Sequence, residues 1–338
     1  MEKDYILQVK NLETRFKIGK KTVHAVNDVS FNLRRGTTLG VVGESGCGKS
    51  VTALSIMQLL PKAAHIEGGQ VLYTPSPEQT LNLTDFKRNS KELRSIRGKD
   101  IAMIFQDSLS SLDPVYSIGW QIMENLRMHE KLSKKEAKEK IIRMLGELGI
   151  PSPEDRFKSY PFEFSGGMKQ RVMIAIGMIC NPNILIADEP TTALDVTIQA
   201  QILALIKQMQ QEHGTSVILI THNMGIVAEI CDEVAVMYMG RVVEFGSLLQ
   251  IFENPHHPYT KALLKSVPVL GMGKDTELES IEGTTPDAST VFKGCEFEPR
   301  CPFAMKKCTE EHPMVCEIEE GHEVRCWLYE EKCKDDRR

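Results

Sequence analysis

One stretch of eight residues constrains this chain more than any other: Gly43-Glu44-Ser45-Gly46-Cys47-Gly48-Lys49-Ser50. It follows an apolar run at 38–42 that predicts a buried parallel strand, and it precedes a run at 51–57 that predicts a helix. A strand, a glycine-rich loop and a helix in this order form the context of a P-loop. The alternative is a glycine-rich turn with a surface lysine, and a full match in the right context argues against it. The sequence therefore predicts a nucleoside triphosphate site.

The residue types of this loop suit a phosphate chain. The glycines let backbone N–H groups turn toward phosphate oxygens without a side chain in the way. The helix that starts here presents its positive end to the same anion. Lys49 supplies a point charge for the β- and γ-phosphates, and the Ser50 hydroxyl is placed to hold Mg²⁺.

Length and composition indicate a globular protein with a substantial core. The chain has 338 residues, which exceeds the length of one typical domain. Of these residues, 41% are apolar and 26% are charged, as in soluble globular proteins. A net charge of −5 gives no reason to expect nucleic acid as the main partner. The first residues carry no signal segment, and no apolar stretch reaches the roughly 18 residues of a membrane span. We therefore expect a cytosolic chain that can bind a membrane protein.

The order of apolar runs predicts a mixed α/β fold. Alternating apolar and polar positions between residues 5 and 35 predict antiparallel strands, and the polar stretch 74–100 predicts an irregular connection. A helical pattern covers about 110–161. Later apolar strands alternate with helices, which predicts a parallel sheet covered on both faces. These later strands are predicted at 183–188, 216–220 and 233–237.

A pair of carboxylates ends the first of these later strands. The apolar run 184–187 leads into Asp188, which Glu189 follows directly. Beside a P-loop, an aspartate in this position supports Mg²⁺. A second carboxylate next to it is costly unless it has a different task, and the task that fits is to orient and polarise the attacking water as a general base. Two solvated carboxylates at a strand end are the weaker interpretation.

The stretch Phe164-Ser165-Gly166-Gly167-Met168-Lys169-Gln170-Arg171 resembles the signature of the ABC ATPases, usually written LSGGQ. Its Ser-Gly-Gly step opens a predicted helix at 168–179, whose N-terminus is a second anion site. One chain cannot easily fold both anion sites onto one phosphate, whereas two chains arranged head to tail can. Phe164 and Met168 depart from the usual leucine and glutamine, but the Ser-Gly-Gly step is intact.

Other positions match ABC motifs in chain order. Gln106 resembles the Q-loop glutamine, which lies near Mg²⁺ and the water. Thr192-Ala193-Leu194-Asp195 resembles the D-loop, which crosses the dimer, and His222 resembles the switch histidine that bonds the γ-phosphate. Phe16 lies where the family carries an aromatic side chain that stacks on adenine, although a β-rich segment also needs core aromatics.

The resemblance implies a complete site. Lys49, Gln106, Glu189 and His222 are the expected catalytic residues, and Ser50, Gln106 and Asp188 are the expected Mg²⁺ residues. The residues expected to bind ATP are Phe16, Gly43, Glu44, Ser45, Gly46, Cys47, Gly48, Lys49, Ser50, Val51, Ser165, Gly166, Gly167 and Asp195.

The resemblance also implies the fold and its domains. The fold is an α/β, ABC-type P-loop NTPase, with a RecA-like core, an antiparallel β subdomain and a small C-terminal cysteine-rich module. Residues 1–250 are the expected ATPase domain, with a helical subdomain at about 107–165. Residues 251–338 are the expected extension, in which a linker at 271–289 leads to a separate module at about 290–330.

Three stretches narrow the resemblance to the dipeptide/oligopeptide permease ATPases: 43–48, 106–114 and 254–264. This implies an ATPase subunit on the cytoplasmic face of the membrane, energising an importer of peptides or related solutes. Its implied partners are two transmembrane permease subunits, a second ATPase subunit and, indirectly, an extracytoplasmic solute-binding protein. A related polypeptide as second ATPase would make a heterodimer, and a homodimer is the alternative. A cytosolic ABC ATPase acting on nucleic acid, and a catalytically weak regulatory subunit, are rival hypotheses.

The cysteines are unevenly spread. Six of the nine fall in the last 44 residues. The same permease ATPases end in a similar module, whose four cysteines correspond to Cys295, Cys301, Cys308 and Cys326. Four thiolates can hold zinc or a [4Fe–4S] cluster. The wide, uneven spacing and the family resemblance favour the cluster, with Zn²⁺ as the alternative.

Two further cysteines, Cys316 and Cys333, are left as spare thiols, and Cys316 is an alternative ligand. A cytosolic location argues against a disulfide framework.

Overall fold

A computed structural model of the chain describes residues 4–106, 111–192, 194–266 and 281–335. Parts of three predicted features lie outside these ranges: the permease-like stretch at 106–114, the D-loop at Ala193 and the linker at 271–289. Of the helices described, none is long and apolar enough to cross a membrane.

Twelve strands and twelve helices build the described part of the chain. The strands are β1 (Tyr5–Ile18), β2 (Lys21–Arg34), β3 (Thr38–Val42), β4 (Ala64–Ser76), β5 (Gln79–Asn82), β6 (Ile101–Ile104), β7 (Ile184–Asp188), β8 (Ser216–Thr221), β9 (Glu233–Tyr238), β10 (Arg241–Ser247), β11 (Cys316–Glu319) and β12 (His322–Val324). The helices are α1 (Lys49–Ile56), α2 (Lys91–Ile96), α3 (Ile118–His129), α4 (Lys134–Glu147), α5 (Pro153–Arg156), α6 (Gly166–Met178), α7 (Val196–His213), α8 (Met224–Ile230), α9 (Leu248–Glu253), α10 (Pro258–Lys265), α11 (Lys306–Glu310) and α12 (Glu330–Asp335).

The main sheet has eight strands in the order β11-β12-β10-β9-β3-β8-β7-β6. Strands β3, β6, β7, β8 and β9 pair in parallel, as their continuous apolar runs predict. Side chains along β3 alternate between two cores, with Val41 in one and Val42 in the other. This period of two places core on both faces of the sheet, and the carboxyl ends of β3, β7 and β8 meet at one edge.

A second, antiparallel sheet in the order β2-β1-β4-β5 packs over the first. Its long strands β1 and β2 confirm the antiparallel prediction for residues 5–35. The predicted irregular connection at 74–100 is wrong in part, because β5 and α2 lie within it. Strand β5 has only four residues, Gln79–Asn82, and is too short and polar for its period to stand out. Helix α2 depends on a local cap, Ser90, which accepts from the Leu93 N–H.

Helices α3, α4 and α5 occupy the predicted helical subdomain. The helix α4 begins at a capping box in which Ser133 and Glu136 satisfy each other's backbone N–H groups. The apolar faces of α3 and α4 share a core with α6, the helix that begins at the signature.

The C-terminal extension packs onto the rest of the chain. Strand β12 pairs with β10, so the main sheet continues across residue 250. The carboxylate of Glu244 is fully buried and accepts the backbone N–H groups of His256 and His257 at 2.6 and 2.9 Å. It also meets His322 Nε2 at 2.9 Å. The extension is therefore joined to the cassette through hydrogen bonds as well as apolar contacts, and the boundary at 250 stays a prediction.

Candidate functional site

The P-loop lies where β3 ends and α1 begins. Gly48 precedes the helix with φ 102°, and a Cβ there would clash with the carbonyl oxygen of Ala25 on β2. Only glycine suits both the left-handed backbone and this close approach. The P-loop is thereby packed against the antiparallel sheet, and the N-terminal end of α1 faces a cavity.

Lys49 and Ser50 lie at the start of α1. Lys49 is buried, and its Nζ donates to the carbonyl oxygens of Gly43 and Glu44 at 2.7 and 3.0 Å. Ser50 Oγ donates to Asp188 Oδ1 at 3.0 Å. Burial, together with the negative charge of Glu189, raises the pKa of Asp188 despite the bond from Ser50. A cation beside Asp188 would offset both the burial of its carboxylate and the repulsion from Glu189. A hydroxyl next to a carboxylate also supplies the oxygen ligands that suit Mg²⁺.

Glu189 is the centre of a hydrogen-bond network. Gln106 Nε2 and Thr192 Oγ1 both donate to Glu189 Oε2, at 3.0 and 2.9 Å, and His222 Nδ1 lies 3.0 Å from Oε1. Burial opposes ionisation of Glu189, but the bonds from His222 and Thr192, with the charges of His222 and Lys49, hold its pKa below the usual glutamate range. Glu189 also adopts a positive φ of 46°, which is uncommon outside glycine. The carboxylate is thus ionised and held in one orientation.

One cavity is lined by Lys49, Ser50, Gln106 and Glu189 together. The residues lining it that the sequence predicted are Ser45, Gly46, Gly48, Lys49, Ser50, Val51, Gln106 and Glu189. Five others were not predicted: His24, Ala25, Met239, Gly240 and Ala288. They come from β2, from the turn between β9 and β10 and from the extension. No local motif marks them, because they reach the cavity only through tertiary packing.

Several predicted ATP residues lie elsewhere in the described structure. Phe16 is half-buried on β1 opposite Val23 and Ala64, and it does not line the cavity. The side chain of Cys47 is buried, and burial raises the pKa of its thiol. The adenine contact of Phe16 stays a prediction.

The signature and the D-loop aspartate lie apart from the cavity. Ser165 is exposed and caps α6 by accepting the Met168 N–H at 3.4 Å. Asp195 caps α7 in the same way, accepting the Ile198 N–H at 3.0 Å. Neither residue lines the P-loop cavity, nor do Gly166 and Gly167. The signature therefore presents an open helix end to the outside of the chain.

The four cysteines assigned to a cluster line a single small cavity: Cys295, Cys301, Cys308 and Cys326. Gly294 lets the backbone before Cys295 lie close to the backbone at Cys308, because a Cβ on Gly294 would clash with the Cys308 carbonyl oxygen. That oxygen accepts the Cys295 N–H at 2.8 Å. Burial raises the pKa of the Cys295 thiol to about 12 and that of Cys326 to about 11. Within the described ranges, no three His, Cys, Asp or Glu side chains already converge on one metal-ion position.

The two cysteines expected to be spare thiols are instead paired with each other. Cys316 on β11 and Cys333 on α12 form a disulfide, with Cα atoms 5.2 Å apart. The β11–β12 hairpin returns the chain so that residues 17 positions apart meet. The pairing occupies both spare thiols, so Cys316 is not free to replace one of the four cavity cysteines.

Two family models match the chain. One, described as ABC transporter, matches residues 26–192. The other, described as the C-terminal region of oligopeptide/dipeptide transporters, matches residues 243–308. The first match contains the P-loop, the signature and Glu189, and the second contains α10 and three of the four cavity cysteines.

Curated relatives resemble the chain over nearly its whole length. The dipeptide transport ATP-binding protein DppD of Bacillus subtilis (strain 168) is 49% identical, covering 99% of this chain and 97% of the relative. The oligopeptide transport ATP-binding protein OppD of the same organism is 47% identical over 96% of this chain and 88% of its own. Among solved structures, a dimeric post-hydrolysis state of the ATP-binding cassette MJ0796, bound to ADP and Pi, has a TM-score of 0.63 and 25% identity, covering 72% of this chain and 98% of that one.

Proposed function

The chain belongs to the peptide-type ABC transporter ATP-binding proteins and is an ATPase, and on that premise we propose that it hydrolyses ATP in a sandwich between two ATPase subunits. In this sandwich the P-loop of one subunit and the Ser-Gly-Gly signature of the other hold the same triphosphate. The energy released would drive the import of dipeptides, oligopeptides or related solutes.

One observation carries the proposal: the chain completes only half of a triphosphate site. The P-loop, Gln106 and Glu189 line one cavity, while Ser165 caps an exposed helix end away from it. A helix N-terminus with an unshielded serine suits an anion brought by another molecule. The structural relative MJ0796 is described as a dimer bound to ADP and Pi, which supports a nucleotide-binding dimer here.

The geometry supports a distinct role for each polar group. Lys49 leaves the carbonyl oxygens of its own loop to neutralise the β- and γ-phosphates. Ionised Glu189 accepts the proton of the attacking water, and its three hydrogen-bond partners hold the carboxylate in line. Ser50 and Asp188 would hold Mg²⁺, which supplies charge neutralisation when bound. His222 is 59% exposed, so its ring is free to turn toward the γ-phosphate.

The membrane partners follow from the family. The helical subdomain and the Q-loop would receive the cytoplasmic segments of two permease subunits, so the chain would bind at the cytoplasmic face of the membrane. An extracytoplasmic binding protein would deliver the solute, and a second, related ATPase subunit would complete the sandwich. The relatives are named for dipeptide and oligopeptide transport, which supports the peptide class.

A nucleotide-bound, hydrolysis-blocked sample tests the sandwich. The Glu189→Gln variant with MgATP, alone and mixed with its companion ATPase, is expected to place Ser165 within hydrogen-bond distance of a γ-phosphate across the interface. The measurement is a structure of the isolated complex. Ser165 remote from every γ-phosphate, in both assemblies, would refute the proposal.

We also propose that the four cavity cysteines hold a [4Fe–4S] cluster. They line one cavity, and four cysteine thiolates are a ligand set that such a cluster would take, with one zinc ion as the alternative. Anaerobically purified protein is expected to be brown, with absorbance near ~400 nm and about four irons per chain. Stoichiometric zinc would overturn the assignment.

A further inference from the structure

Glu44 contacts the C-terminal extension through both its carboxylate and its backbone N–H group. Arg300 forms a two-pronged ion pair with its carboxylate, Nη1 to Oε2 at 2.7 Å and Nη2 to Oε1 at 3.1 Å. Thr285 Oγ1 donates to Oε2 at 3.1 Å, and the Glu44 N–H donates to the Tyr259 hydroxyl at 2.9 Å. A P-loop residue is thus clamped by three residues that follow residue 250.

The clamp extends from Glu44 to the catalytic lysine. The Glu44 carbonyl oxygen accepts from Lys49 Nζ at 3.0 Å, so one residue connects the extension to the charge that binds the phosphates. A shift of Glu44 would move both the loop backbone and this lysine contact. The extension therefore has a direct covalent and hydrogen-bonded route to the nucleotide site.

Arg300 is itself firmly held. Its side chain is 4% exposed, and its Nε donates to the Glu282 carbonyl oxygen at 3.0 Å. Its guanidinium lies over the Tyr238 and Phe297 rings, 5.9 and 6.0 Å from their centroids. Such a fork is already oriented before ATP arrives, which makes it suitable for fixing a loop.

We propose that Arg300 is a positioning residue for ATP: it fixes the P-loop through Glu44, so the C-terminal extension sets the nucleotide affinity of its own chain. The proposal rests on the proposed ATP site.

The test compares two arginines of the extension. Arg325 also precedes a cavity cysteine, is also buried, and also pairs with a carboxylate of the cassette, Asp28, at 2.8 Å, but it does not touch the P-loop. Arg300→Met is expected to raise the Kd for MgATP about tenfold in the full chain, measured by calorimetry. Arg325→Met, the matched control, is expected to change it less than about twofold. Equal effects of the two variants would refute the clamp.

A second comparison separates positioning from general damage. In a Glu44→Gln background, Arg300→Met is expected to raise the Kd by less than about a further twofold, because the Arg300–Glu44 ion pair is already lost. Arg300→Lys, which keeps the charge but not the fork, is expected to restore part of the affinity. An undiminished effect of Arg300→Met in that background would overturn the proposal. If Arg300→Met does not fold, as judged by circular dichroism, a Kd unchanged in Glu44→Gln alone would overturn it.

Iron content and affinity for MgATP are measured on the same samples, so that failure of the proposed ATP site can be distinguished from failure of the Arg300 proposal. Wild-type protein without iron would refute the cluster and leave the Arg300 comparison decisive. Wild-type protein that binds no MgATP would refute the ATP site itself. If the wild-type protein binds MgATP and holds iron, but the Arg300 and Arg325 variants change the Kd equally, only the positioning role of Arg300 is refuted.

Discussion

Two helix N-termini of this protein are each assigned to a triphosphate site of the proposed sandwich, yet they lie in opposite surroundings. The end of α1 is enclosed by β2, by the turn at Met239–Gly240 and by the extension. The end of α6, at Ser165, is exposed, and in the described residues Ser165 accepts hydrogen bonds from the first turns of its own helix, the Met168 and Lys169 N–H groups. Contacts within the chain therefore fix the conformation of the P-loop, whereas the signature is left exposed to a second subunit.

The contrast explains how hydrolysis can depend on assembly. In the proposed sandwich, a preorganised P-loop would let the single chain bind ATP, because the ordering cost is met during folding. The charge on the transferring phosphate would be fully stabilised only after the second helix end arrives. Binding and catalysis are thus separated between one chain and two, and variants at the two helix ends should separate them as well.

The largest effect is expected at the enclosed end. Glu189→Gln keeps the hydrogen-bond geometry but removes the base, so ATP binding is retained and hydrolysis falls about 10²–10³-fold, or about 2.7–4 kcal/mol, by analogy with loss of one preorganised contact. Phosphate release by the assembled transporter measures the rate, and calorimetry measures binding. Near-normal turnover would remove Glu189 from its role.

A smaller loss is expected at the exposed end. Ser165→Arg places a bulky side chain at the signature, so nucleotide-dependent pairing of subunits fails and hydrolysis falls about 10²-fold. Because Ser165 does not line the cavity of its own chain, the Kd of the isolated subunit for MgATP stays within about twofold of wild type. Light scattering with and without MgATP follows the pairing. A large loss of affinity in the isolated subunit would contradict the division between the two ends.

The joint between the extension and the cassette should affect stability rather than rate. Burial disfavours the charge of Glu244, but hydrogen bonds from His322 and two backbone N–H groups hold its pKa below the usual range. Glu244→Gln replaces an acceptor with a partial donor against those groups, and about 1–3 kcal/mol of unfolding free energy is expected to be lost at neutral pH.

The pH dependence of that loss has a definite sign. A lowered carboxyl pKa means that the unfolded state binds more protons, so the contribution of Glu244 is present above the ordinary glutamate pKa and disappears as the pH falls through the lowered one. The stability gap between wild type and Glu244→Gln should therefore narrow in acid. Urea unfolding at a series of pH values measures the gap, and a gap that widens in acid would contradict the assignment.

The disulfide should have the smallest effect. Cys316→Ser opens a loop with a sequence separation of 17, so the expected loss is no more than about 3 kcal/mol and confined to the end of the extension. Because neither Cys316 nor Cys333 touches the P-loop in the described structure, MgATP affinity should stay within about twofold of wild type. A larger change would place this pair in the route to the nucleotide site.

Local patterns were sufficient for much of the fold. The buried strands β3, β7 and β8 have continuous apolar runs, and the box at Ser133 predicts the start of α4 because both signals depend on residues within a few positions. The Ser50–Asp188 and Glu189–His222 contacts could be anticipated because parallel strands end at one edge. The walls formed by His24, Met239 and Ala288 could not, since no spacing rule connects them.

The sequence by itself determined the nucleotide chemistry: which residues can surround a phosphate, carry the charge and polarise the water. Those properties are set by residue types a few positions apart. Only the tertiary structure decided that Arg300 meets Glu44 across 256 positions, that Cys316 pairs with Cys333, and that β12 extends the main sheet. Such contacts depend on how whole elements pack, and packing is settled by the summed burial of many side chains rather than by any one pattern.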